Sequence, residues 1–216
     1  MALRSFYAAF VHRPSAGPIE CTARTLRAGR SSTAVQVELT QDARTVAVAD
    51  AWLVSVALLS AGSSDDARAP APHDCPESGW IGEVLPGFRR IEERAIDFPT
   101  ERAELDGGGH ARCDLWARGR VGIADAASGP AELDLMLLDS HLLDAVLRSE
   151  GVDAVDAVSL DLWVSWLGHT PGRAWRRVST EAAIADSAAV TSGRVTTEDG
   201  RLCAIAGGHA RIFRRA

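Results

Sequence analysis

Pro130-Ala-Glu-Leu-Asp-Leu-Met-Leu-Leu-Asp-Ser-His-Leu-Leu-Asp-Ala-Val-Leu-Arg-Ser-Glu-Gly151 decides the fold. Proline suits a first helical position, and Gly151 ends the run. Between them Leu133, Met136, Leu137, Leu143, Val146 and Leu147 recur at helical spacing. The helix is apolar on more than one face, as a sheet wrapped around a single helix requires.

Strand patterns flank this helix. Arg89–Phe98 alternates, Gly107-Gly-Gly109 is a loop tip, and Ala111–Arg118 pairs back. After the helix come Val158–Trp166, Ala174–Ala182, Ala188–Thr197, and Leu202–Ala206 running into Arg211–Phe213. Glu198-Asp-Gly-Arg201 is a hairpin turn of the Asp-Gly type. The second half therefore reads strand, strand, helix, four strands. Upstream, residues 3–20 are extended and end at the turn Ser15-Ala-Gly-Pro18. Ile19–Leu26, Ser31–Thr40 and Thr45–Val54 follow as an antiparallel meander. Ser60–Pro72 is small, polar and Pro-containing, and reads as a linker. Strand–turn–strand from Ser32 to Leu53 is echoed from Ala189 to Phe213, which suggests a duplicated unit.

Composition narrows the function classes. The chain has 216 residues, 46% of them apolar and 24% charged, enough for a sizeable core and unlike a disordered chain. Its formal net charge of −6 argues against a nucleic-acid partner. No apolar run approaches the roughly 18 residues of a membrane span. Met1–Pro14 is too short and too broken by Arg for a signal peptide. A soluble cytoplasmic protein without a membrane partner is expected. All 23 basic residues are Arg, which removes lysine chemistry. Cys21, Cys75, Cys113 and Cys203 are widely spaced and read as reduced thiols. A zinc site joining His73-Asp-Cys75 to His110-Ala-Arg-Cys113 has poor spacing. No Gly-x-Ser-x-Gly elbow exists, and no Gly-Lys-Ser/Thr follows the glycine triplet.

Leu26-Arg-Ala-Gly-Arg-Ser-Ser-Thr33, Val35–Asp42 and Val46–Ala51 resemble the first hotdog of the double-hotdog acyl-CoA thioesterases of the thioesterase II type. Phe88–Arg94 and Asp114–Arg118 resemble the opening strands of the second hotdog. Leu137-Leu-Asp139, Ser159–Trp163 and Asp199–Ala204 match its closing part, in the right order. The resemblance implies an α+β double hotdog, each unit an antiparallel sheet around a central helix. Residues 1–60 would form a partial first hotdog, 61–79 a linker and 80–216 a complete second one. By comparison with the second unit, roughly fifty to sixty residues carrying the first helix and early strands have no counterpart before Leu3-Arg-Ser-Phe6. A first sheet without its helix needs cover, so a homodimer or larger homo-oligomer is expected.

The resemblance also implies hydrolysis of acyl-CoA thioesters without a metal or organic cofactor. The family uses an Asp in the helix, a hydroxyl on the next strand and a Gln on the last strand. Asp139 stands at the first position and Ser159 at the second, where Thr is usual. Ala206-Gly-Gly-His-Ala210 has no Gln. Gly208 or His209 falls there, and His209 is the candidate substitute. The alternative is a binder of acyl-CoA or another apolar ligand without turnover. Asp144, Asp153 and Asp156 read as solvated, and Arg27 and Arg30 as solvated turn residues. Trp163 and Trp166 read as core or interface, and the adjacent residues Asp139, Ser140 and His141 cannot face one another as a triad on a helix.

Overall fold

The computed structural model describes residues 1–55, 69–80, 86–120, 130–168 and 173–215. Four strands come first: β1 (Ala2–Phe10), β2 (Glu20–Ala28), β3 (Ser32–Gln41) and β4 (Arg44–Val54). Then follow β5 (Glu77–Ser78), β6 (Ile91–Asp97), β7 (Arg112–Gly119) and the helix α1 (Pro130–Glu150). The chain closes with β8 (Val155–Ser159), β9 (Asp161–Trp166), β10 (Arg176–Ala185), β11 (Ala188–Thr197) and β12 (Leu202–Arg214). The expected linker residues 61–68 and the helix-leading Ser128-Gly129 lie outside the described residues.

The twelve strands of the described residues join one antiparallel sheet, in the order β2-β3-β4-β1-β9-β12-β11-β10-β7-β6-β5, with β8 also on β12. The two halves meet where β1 pairs β9, with Tyr7 opposite Trp163. The stretch read as one strand, Val158–Trp166, is two. The chain breaks at Leu160, so that β8 pairs the end of β12 and β9 its beginning. Arg89 and Arg90 belong to a 3-10 turn at Pro86–Arg90, and the strand starts at Ile91.

Helix α1 lies against β7, β8 and β10–β12 and buries Leu137, Leu138, Leu142, Ala145 and Val146 there. Trp166, Val178, Val195 and Ala204 meet it from the sheet. Burying Leu137 or Leu138 stabilises the fold by about 1.5–3 kcal/mol each. The helix stops at Gly151, whose φ of 91° suits glycine, and its N–H donates to the Leu147 carbonyl at 2.8 Å. The glycine-triplet loop packs here: Gly108 N–H donates to the Ser149 carbonyl at 3.0 Å. The first four strands bury far less, with Ala8, Ala34, Gln41 and Val46 enclosed and β2 exposed at every position. Among the described residues no helix is long and apolar enough to cross a membrane.

Candidate active site

The face of α1 turned away from the sheet carries Met136, Asp139, Ser140, Leu143 and Leu147. Trp80, Phe88, Leu105 and Val152 close around it to form a pocket of 340 Å³. Ser159 reaches the same pocket from the end of β8, where it shares the inward face with Val155 and Ala157. The structure therefore brings Asp139 and Ser159 together. Asp139 is exposed by area, yet burial raises its pKa above the ordinary carboxylate range. The two agree for a carboxyl open on one side and walled by apolar groups on the others.

His209 is not brought to them, which corrects the expectation that it stands in for the Gln. On β12 the inward positions are Ala204, Ala206, Gly208, Ala210 and Ile212, and His209 alternates to the outer face. Its imidazole lies 3.0 Å from the Asp161 carboxylate, and its backbone N–H donates to Asp161 Oδ1 at 2.8 Å. This pair pins the break between β8 and β9. Gly208 holds the inward position, and a Cβ there would collide with the Asp161 carbonyl oxygen. Gly208→Ala should therefore destabilise the chain by about 1–3 kcal/mol, read as a lowered thermal midpoint. An unchanged midpoint would show that the strand break can move aside.

Behind the pocket lies a cluster that sequence reasoning missed. His141 is fully buried, and its Nδ1 lies 2.8 Å from Asp144 Oδ2 and its Nε2 3.2 Å from Glu93 Oε1. Burial alone would push the imidazole pKa down, but the hydrogen bond to Asp144 and the Glu93 carboxylate lift it to about 9. Asp144 is thus not the solvated residue expected; it is 6% exposed and lines the pocket. Asp153 and Asp156 are solvated as expected. The signal for the cluster was present: Glu93 sits between Ile91 and Ala95 on the inward face of β6, and His141 continues the apolar stripe of α1. A second buried pair, Arg176–Asp134 at 2.9 Å, ties β10 to α1. Burial raises the Asp134 pKa to about 6 against the pull of Arg176. Among the described residues no three His, Cys, Asp or Glu side chains gather as a metal site.

Among the described residues an antiparallel sheet lies around one helix, the arrangement of the hotdog fold. Comparison with known proteins agrees. The chain matches the acyl-CoA thioesterase N-terminal domain over residues 1–54 and the acyl-CoA thioesterase C-terminal domain over residues 65–206. It belongs to the acyl-CoA thioesterase family. No curated protein matches the sequence. Among solved structures, an acyl-CoA thioesterase II from Mycobacterium marinum is 18% identical, with a TM-score of 0.77, covering 100% of this chain and 82% of its own. A tesB protein from Mycobacterium avium subsp. paratuberculosis is 19% identical, with a TM-score of 0.76 and coverage of 98% and 79%. A hot dog fold protein from Alicyclobacillus acidocaldarius is 18% identical, with a TM-score of 0.78 and coverage of 100% and 80%.

Proposed function

We propose that the chain hydrolyses acyl-CoA thioesters in the pocket beside α1. The observation that carries this reading is the meeting of Asp139 and Ser159 in one apolar-walled pocket. Asp139 takes a proton from a water held by the Ser159 hydroxyl. The water oxygen attacks the thioester carbonyl carbon. The tetrahedral intermediate collapses with cleavage of the C–S bond, and the proton passes from Asp139 to the departing thiolate. Free acid and CoA leave. A carboxylate with a raised pKa is the stronger base, which favours the first transfer. Apolar side chains such as Leu105, Met136 and Leu147 suit an acyl chain.

The two matched stretches, residues 1–54 and 65–206, support a double hotdog with one unit in each. A homo-oligomer belongs to the same reading, because β2 is exposed along its length, with Leu26 open on it and Ile19 open just before it.

Thiol release from acyl-CoAs tests the mechanism through Ser159→Ala. Losing the hydroxyl should lower kcat about tenfold to hundredfold with little change in KM. An unchanged kcat would remove Ser159 from the mechanism.

A further inference from the structure

Asp139 and Asp144 both line the pocket, but they are held in opposite ways. Asp139 is open to solvent. Asp144 is almost fully enclosed and gripped from behind by His141, which is itself gripped by Glu93. Phe98 and Phe88 meet the His141 ring edge-on, with centroids 5.3 and 6.2 Å away, so the imidazole has no room to turn out. Glu93 is sealed in the core, whereas Asp144 lines the pocket, on which Arg102 also stands.

A carboxylate offers about four acceptor positions, and His141 occupies one of them. Laying a plain alkyl chain against the rest strips their water and returns nothing. A chain with a donor at that depth replaces the lost water.

We propose that Asp144, positioned by His141 and Glu93, is a specificity residue that selects acyl groups bearing a hydroxyl or amide N–H over unsubstituted alkyl chains. This rests on the acyl-CoA reading above. His141 and Glu93 act through Asp144 and touch no substrate.

The test uses the full chain and CoA thioethers whose carbonyl is separated from sulfur by a methylene, so that they cannot be hydrolysed. Calorimetry compares an unsubstituted chain of about eight carbons with isomers hydroxylated at successive carbons. One isomer should bind about tenfold tighter than the unsubstituted probe. Its O-methyl ether, which cannot donate, should lose that advantage. In Asp144→Ala the tenfold ratio should fall to about one. The ether comparison needs no variant, so a misfolded Asp144→Ala leaves the test intact. The proposal is overturned if every hydroxylated isomer binds within about twofold of the unsubstituted probe. It is overturned equally if the methyl ether binds as tightly as the alcohol, or if no probe binds. Absence of thiol release from hydrolysable acyl-CoAs, with the binding preference intact, would overturn hydrolysis alone.

Discussion

Asp139→Asn should lower kcat for thiol release by about 10²- to 10⁴-fold while KM stays within a few-fold. Asn keeps the shape of the side chain and its place in the pocket, but it cannot take a proton from water. The side chain is exposed and has no ion-pair partner among the described residues, so the fold should not notice the change. The thermal midpoint of the variant should stay near that of the wild type. The raised pKa of Asp139 adds a second signature. Activity needs the ionised form, so the acid limb of the wild-type pH profile should lie above the usual carboxylate range. Turnover that survives the substitution would move the base elsewhere, with Asp144 the other carboxylate lining the same pocket.

His141→Leu should produce the largest loss of stability. The substitution removes the buried cation and leaves Glu93 and Asp144 enclosed without it. Breaking a buried ionic pair in this way costs about 3–5 kcal/mol. At about 2–4 °C per kcal/mol for a chain of this size, the midpoint should fall by about 6–20 °C. The pH dependence has a definite sign. The His141 pKa rises from an ordinary 6.5 to about 9 on folding, so its stabilisation is complete below about 6.5. It is lost as pH climbs through about 9, and it amounts to about 3 kcal/mol. Wild-type stability should therefore decline between these values, and His141→Leu should lack that part of the decline. Chemical unfolding at pH 6 and pH 9 measures both. Equal losses in the two proteins would assign the decline to other groups.

Much of the architecture was legible in local pattern. The Pro130 start, the Gly151 stop and the leucine spacing between them locate α1. Period-two alternation locates β3, β4 and β11. The break at Leu160 was not legible, because Val158–Trp166 alternates without a turn residue. It arises from pairing with two parts of β12, a long-range constraint. Asp139 and Ser159 were named by the resemblance rather than by local pattern, and they line one pocket from an outer helical face and an inward strand position. His209 failed on parity, because one residue along a strand exchanges faces. Asp144 failed because its partner His141 is held in turn by Glu93 on β6, 48 residues before His141, a separation that the helix itself does not reveal.

The most direct test is thiol release by the wild-type chain from a panel of short, medium and long acyl-CoAs. Measurable release from at least one chain length is the result predicted. Folded protein that releases no thiol from any member of the panel would contradict hydrolysis and leave a pocket that binds without turnover.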